Sequence, residues 1–246
     1  MPSRLMPRLL LACMAALHCA LACALTQEEV MRGAARLYQE RLLEMGRRYA
    51  LDADPAFVAR AQHIMDKLLV QARRDYPEAA HWQWEIHVTS DTDENAFCMA
   101  GGKVLLGQPY VLRLGLSEAE LAMLLAHELQ HSLQRHNLRE YEEAMRIDPA
   151  WTARPFAELE LAVDDDSALV RKLAEFNAAQ EDEADREGLR LAWRAGWPAA
   201  HLANYFRKVQ KASPYPNFDR LGYAAPSQRW HAARSLAAQL DLAPAN

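Results

Sequence analysis

Two histidines and a glutamate lie close together in the stretch AHELQHSL, residues 126–133. His127 and His131 are four residues apart, so on a helix both rings project from one face. Imidazole nitrogen is a common zinc ligand, and a catalytic zinc site has three protein ligands and a water molecule. The metal lowers the pKa of that water to about 7, so Glu128 could take a proton from it. The pattern alone fits a solvated polar stripe equally well.

The residues before this motif predict a buried helix. Ser117 and Glu120 have capping-box spacing, which indicates a helix that starts at Ser117. The segment ELAMLLA then presents apolar side chains in nearly every direction, as a buried helix does. Polar side chains that continue such a helix are costly unless they have partners. This location therefore favours a metal site.

A zinc site of this kind needs a third protein ligand, and downstream acids offer several candidates. Glu140, Glu142 and Glu143 lie on a charged stretch, and we expect them to be solvated. Glu181 and Asp185 are four residues apart on another predicted helix and share a face. Glu181 could complete the zinc shell, and Asp185 could accept a ring N–H from a zinc histidine. Taken by themselves, these two acids would better fit a salt-bridging helix face.

The chain as a whole predicts an α+β fold that is mainly helical and has a small antiparallel or mixed sheet. Predicted helices cover residues 27–50, 55–74, 117 onwards, 167–195, a segment up to about 211, and 227–240. Period-two alternation predicts a strand at 82–90, and Gly101 and Gly102 indicate the turn of a hairpin that follows it. Residues 137–176 are less regular, because Pro149 and Pro155 interrupt them.

The N-terminal residues 1–24 predict a cleaved signal peptide. Basic residues precede an apolar run from Leu9 to Leu25, and small residues follow. A membrane anchor through residues 9–25 is the alternative, although the run is short for a membrane span. We therefore expect residues 25–246 to form a single periplasmic domain. Cys98 is the one cysteine after the leader, so no internal disulfide is expected.

Four parts of the sequence carry a further pattern, in order between residues 95 and 229. They are NAFCMAGGKVLL (95–106), LSEAELAMLLAHELQHSLQRH (116–136), EDEADREGLRLAWRAGWPAA (181–200), and Pro226 with Arg229. Together they resemble the zinc metallopeptidases of the HtpX and CAAX-prenyl-protease type, including soluble periplasmic BepA- and LoiP-like members. Ala100 stands where that family has a proline.

The resemblance implies a zincin-like metallopeptidase domain with an active-site helix and one zinc ion per chain. It assigns the zinc to His127, His131 and Glu181, with Glu128 as general base and Asp185 as support. It also implies a polypeptide substrate beside one strand, which here contains Asn95, Ala96, Phe97 and Cys98. An extended peptide could pair with that edge through its backbone. Cys98 itself is either a small buried side chain or a redox-sensitive zinc latch.

The tail of the pattern departs from the family at one position. Tyr223 stands six residues before Arg229, where the family has a histidine that is thought to stabilise the oxyanion or to sit on the zinc. A tyrosine hydroxyl can donate to an oxyanion, although Tyr223 could equally serve in packing alone. Arg229 could face the oxyanion or pair with an acid, and His201 and His231 remain alternatives.

We therefore expect a zinc-dependent endopeptidase that uses a metal-activated water. The resemblance adds misfolded or unassembled cell-envelope proteins as substrates. Two alternatives stay open: a non-catalytic, zinc-stabilised binding or chaperone-like module, and a helical interaction protein with an accidental motif. The formal net charge of −5 gives no electrostatic reason to expect nucleic acid. The sequence shows no tetratricopeptide-type partner array, and peripheral contact with the cell envelope is left open.

Overall fold

The computed structural model describes residues 25–242, so the predicted signal peptide and nearly all of the alternative anchor lie outside the described residues. The helices are α1 Gln27–Arg48, α2 Pro55–Asp75, α3 Gln108–Leu114, α4 Glu118–Leu133, α5 His136–Ile147, α6 Phe156–Asp165, α7 Ser167–Arg194, α8 Ala199–Ala212 and α9 Pro226–Asp241. Short 3₁₀ turns cover Pro77–His81 and Pro149–Ala153. No helix within the described range is long and apolar enough to cross a membrane.

The strands β1 Glu85–Thr89, β2 Ala96–Met99 and β3 Lys103–Gly107 form a small sheet in the order β1-β3-β2. β1 runs parallel to β3, and β2 runs antiparallel to it with Cys98 opposite Val104. Gly101 and Gly102 connect β2 to β3 at φ values of +80° and +83°, which glycine adopts without strain. The mainly helical fold with a mixed sheet confirms the predicted class. β2 is an edge strand of this sheet, so one side of its backbone faces away from β3.

Helix α4 is the central element of the fold. The side chain of Ser117 accepts from the Glu120 N–H at 3.4 Å, and the Glu120 carboxylate accepts from the Ser117 N–H at 2.7 Å, so the predicted capping box is confirmed. The apolar residues that follow are buried against α2, α7, α8 and β2. Each fully buried leucine contributes roughly 2 kcal/mol through the hydrophobic effect. The helix is therefore firmly held before any metal binds.

Helices α4 and α7 cross at Gly188. A Cβ atom built there would lie 2.9 Å from the backbone nitrogen of His127 and 3.0 Å from its Cα. Backbone atoms cannot swing aside as the end of a flexible side chain can. Glycine at this position thus allows α7 to approach the turn of α4 that carries His127.

Residues 137–176 are broken into short elements at both prolines, in keeping with the less regular segment that the sequence predicts. Pro149 is the first residue of a 3₁₀ turn, and Pro155 precedes α6. Asp166 caps α7 by accepting from the N–H groups of Ala168 and Leu169. The first predicted strand is shorter than expected, because its pairing with β3 begins at Glu85, opposite Lys103.

We predict that Gly188→Ala lowers the melting temperature, because overpacking against His127 costs about 1–3 kcal/mol. A helical glycine with free space around it should behave in the opposite way. Gly46→Ala in α1 is the matched control, since its new Cβ would meet only Leu51 Cδ1 at 3.6 Å. That variant should be neutral or more stable, by up to about 1 kcal/mol. Equal thermal shifts in the two variants would contradict the close crossing.

Candidate metal centre

Three predicted ligands converge where α4 meets α7. Nε2 of His127 and Nε2 of His131 lie 3.3 Å apart. The two carboxylate oxygens of Glu181 each lie 3.4 Å from one of these nitrogens. The i, i+4 spacing on α4 aims both rings at one point, and α7 brings the carboxylate to the same point.

The residues present fit a zinc ion. Oε2 of Glu181 is buried and has no hydrogen-bond partner among the described residues. A tetrahedral zinc with bonds of about 2.1 Å separates neighbouring ligand atoms by about 3.4 Å. The two nitrogens lie 3.3 Å apart and each lies 3.4 Å from one oxygen of Glu181, which is close to that value. Two imidazoles and a carboxylate are also a donor set that zinc accepts in catalytic sites.

Asp185 and Arg229 hold His127 from behind. Nδ1 of His127 lies 2.9 Å from Asp185 Oδ1. The Arg229 guanidinium donates twice to the Asp185 carboxylate, at 2.7 Å each. Burial alone would raise the pKa of Asp185, but Arg229 and His127 together lower it to about 2. Of the two expectations for Arg229, the structure shows pairing with an acid, through Nε and Nη2 to Asp185.

The charges around His127 favour its protonated form. Burial alone would lower the pKa of His127, yet Asp185 and Glu181 raise it to about 10. Burial and the neighbouring positive His127 lower the pKa of His131 to about 3. Metal binding therefore displaces a proton from His127, as expected for a ligand that must be deprotonated.

Glu128 lines the cleft next to these ligands. Burial raises the pKa of its carboxyl to about 8, with a further contribution from Glu181 against the opposing charge of His127. A carboxylate with a pKa near the working pH is suited to accept and return a proton. The structure thus places Glu128 where the sequence predicts a base.

The cleft has a volume of about 870 Å³ and reaches from β2 to the loop after α8. The predicted substrate strand borders it through Asn95, Ala96, Phe97 and Cys98. Burial raises the pKa of the Cys98 thiol to about 12, and its sulfur lies 3.5 Å from Ser132 Oγ. This buried thiol fits the interpretation of Cys98 as a small packed side chain.

Tyr223 reaches the cleft from a tight turn. Backbone N–H groups of Arg220 and Tyr223 donate to each other's carbonyls at 3.0 Å and 2.9 Å, and Gly222 occupies a φ of +77° between them. Tyr223 is 44% exposed, and its partial burial together with the carboxylates of Glu181 and Glu128 raises its pKa, so its hydroxyl remains a donor. The alternatives His201 and His231 are exposed and do not border the cleft described above.

Sequence reasoning assigned no role to His136, which proves to contact the centre. It is 2% exposed, and its Nδ1 lies 3.0 Å from Nδ1 of His131. No helical periodicity relates the two residues, because α4 ends at Leu133 and Arg135 turns the chain in the left-handed region at φ 56°. The only signal was a third histidine at the end of the segment AHELQHSLQRH.

Comparison with known proteins decides the family. Residues 55–233 match Peptidase family M48. The chain belongs to Peptidase family M48. This membership confirms the predicted metallopeptidase class and the zincin-like fold, and it confirms the resemblance at the level of the family.

Two individual relatives of this M48 chain share less than 30% identity with it. It is 29% identical over 175 residues to the beta-barrel assembly-enhancing protease of Yersinia pestis, which covers 65% of this chain and 36% of that protein. It is 27% identical over 170 residues to the mitochondrial metalloendopeptidase OMA1 of Arabidopsis thaliana, with 62% and 33% covered. The chain thus spans about a third of the length of these relatives.

A second, smaller cavity of about 270 Å³ adjoins the M48 metal centre on the side of α5 and α6. Glu140 borders it and accepts from Asn177 Nδ2 at 2.6 Å. Burial raises the pKa of Glu140 to about 7, with smaller contributions from Asp164 and Glu181. The expectation that Glu140 is solvated is therefore wrong, because α7 covers the face of α5 that carries it.

We predict that Glu140→Gln flattens the pH dependence of stability. The folded-state pKa of about 7 exceeds the ordinary 4.5, so between these values the folded chain holds more protons than the unfolded chain. Stability is then fully present below pH 4.5 and falls as pH rises towards 7. Glutamine keeps the contact with Asn177 and has no charge to bury.

Melting temperatures of the zinc-saturated proteins at pH 5 and pH 8 would test this. Glu142→Gln is the control, because Glu142 lies two residues further along α5 and is exposed. The melting temperature of Glu140→Gln should exceed that of the wild type by on the order of a few degrees, and by more at pH 8 than at pH 5. A gain that is equal at both pH values, or larger at pH 5, would contradict the raised pKa.

Proposed function

We propose that this chain is a zinc-dependent endopeptidase that cleaves extended polypeptide segments. The observation that carries the proposal is the convergence of His127, His131 and Glu181 on the floor of a cleft that an edge strand borders. Family membership and relatives that are named as proteases support it. One zinc ion per chain is part of the proposal.

The zinc would supply Lewis acidity and a water of lowered pKa at neutral pH. Glu128 takes the proton of the attacking water and returns it to the leaving amine. Asp185, held by Arg229, fixes the ring of His127 and thereby the position of one ligand. Tyr223 donates its hydroxyl to the oxygen that becomes negative during attack.

The substrate lies along β2. Asn95–Cys98 line the cleft, β2 is an edge strand, and an extended peptide can add to such an edge through main-chain hydrogen bonds. Main-chain pairing requires an extended segment and reads little of its sequence. Unfolded or unassembled proteins provide such segments, whereas folded ones keep them paired.

The cell envelope is the place where we propose that this activity is used. The leader-like residues 1–24 fit export to the periplasm, followed by one domain over residues 25–246. Relatives named beta-barrel assembly-enhancing protease occur in Yersinia pestis and, at 29% identity over 160 residues, in Escherichia coli K12. Misfolded or unassembled envelope proteins are therefore the proposed substrates.

We predict that Glu128→Gln retains zinc and fold but loses about 10² to 10⁴-fold in the rate of cleavage of an unfolded protein. The amide cannot accept the water's proton, while the three ligands are untouched. Glu175→Gln, at an exposed acid of α7, is the control and should cleave like the wild type. Undiminished cleavage by Glu128→Gln would remove Glu128 from the mechanism. Zinc binding without cleavage by the wild type itself would favour the non-catalytic module.

For Tyr223→Phe we predict a loss of kcat of about 10² to 10³-fold with unchanged zinc content, since one oxyanion donor is removed. Tyr215→Phe serves as control, because Tyr215 lies in the same loop and is 67% exposed. Turnover of Tyr223→Phe equal to that of this control would show that Tyr223 only packs.

A further inference from the structure

The two zinc-binding imidazoles present the same atom to the centre. Both use Nε2, because these nitrogens lie 3.3 Å apart and each faces Glu181 at 3.4 Å. A ring that gives the Nε2 lone pair to a metal carries its proton on Nδ1. Each Nδ1–H therefore needs an acceptor on the side of the ring that faces away from the centre.

The acceptors behind the two rings differ. His127 Nδ1 faces Asp185, as described above. His131 Nδ1 faces Nδ1 of His136, at 3.0 Å. The rings of His131 and His136 meet edge to face, with centroids 4.9 Å apart and planes at 81°. A nitrogen of His136 thus stands in the position that a carboxylate occupies behind the other ligand.

The contact between the two Nδ1 atoms restricts where the protons of these rings can lie. If His131 carries its proton on Nδ1, His136 must offer a lone pair on its own Nδ1 and carry its proton on Nε2. That Nε2 lies 3.4 Å from Glu183 Oε2. Arg139 in turn donates to the same oxygen at 2.8 Å. The groups behind His136 are therefore an acceptor and the cation that neutralises it.

We propose that His136 is a positioning residue of the metal centre, which fixes the tautomer and orientation of His131 by accepting its Nδ1–H. The proposal rests on the proposed zinc site and deepens it. A series of side-chain contacts runs from His131 through His136 to Glu183 and Arg139. It parallels the shorter series from His127 through Asp185 to Arg229.

The backbone around His136 is held well enough for this role. His136 begins α5 after a turn in which Arg135 is left-handed, and Gln180 Nε2 of α7 donates to the carbonyl of His136 at 3.1 Å. The side chain is 2% exposed, so little of its surface is open to solvent. Helix α7 thus supplies a ligand, Glu181, and also fixes the anchors of both histidines.

The test compares two substitutions at His136 by zinc affinity, measured through competition with a chromogenic chelator. His136→Leu removes the acceptor and should weaken zinc binding about 10 to 100-fold. His136→Asn places an amide oxygen close to where Nδ1 stood and should restore affinity to within about threefold of the wild type. His201→Leu, at an exposed histidine of α8, is the control and should bind zinc like the wild type. Melting temperatures of the zinc-free proteins are measured in parallel.

Unchanged affinity in His136→Leu would overturn the inference. So would equal losses in His136→Leu and His136→Asn that follow their zinc-free melting temperatures, because that result describes a purely structural residue. A wild type without zinc affinity would overturn the inference together with the metal centre. Loss of affinity in His136→Leu alone supports the inference whether or not the wild type cleaves protein, so the endopeptidase proposal and this one fail separately.

Discussion

The balance of charge between α7 and its neighbours is the constraint on which the structure depends. Glu181, Glu183 and Asp185 lie within five residues of one helix and face imidazoles of α4 and α5. A partly buried carboxylate is costly unless a cation or several donors compensate it. Arg229 compensates Asp185 and Arg139 compensates Glu183, which leaves Glu181 for the metal. Of the three acids on α7, Glu181 is therefore the candidate metal ligand, while Asp185 and Glu183 contact the rings of His127 and His136.

The surrounding fold serves this arrangement by fixing the distance between the helices. The close crossing at Gly188 sets α7 against the turn of α4 that carries His127. The capping box and the apolar contacts of α4 hold that turn in place. β2 packs beside α4, so the proposed substrate edge and the proposed ligands lie on adjoining elements. The packing of α4 against α7 thus sets the short separations between the candidate ligand atoms.

Local sequence patterns predicted most of the elements and the part of the centre that depends on local spacing. The capping box, the i, i+4 histidines and the glycine turn between β2 and β3 are short-range features, and each lies where it was predicted. His136, Arg229 and Glu140 show why the rest could not be predicted. Their roles come from contacts with residues of other elements: the partner of Arg229 is Asp185, and that of Glu140 is Asn177. Charged residues on a polar stretch resemble solvated ones until the packing of α7 over them is known.

The central claim is that this buried cluster is a zinc site. The most direct measurement is the zinc content of the purified chain by mass spectrometry after extensive dialysis, together with its melting temperature with and without a strong chelator. The account predicts one zinc per chain and a lower melting temperature after chelation, because a ligand that binds only the folded state stabilises it. A chain that retains no zinc when zinc is supplied, and melts at the same temperature with chelator, would contradict it.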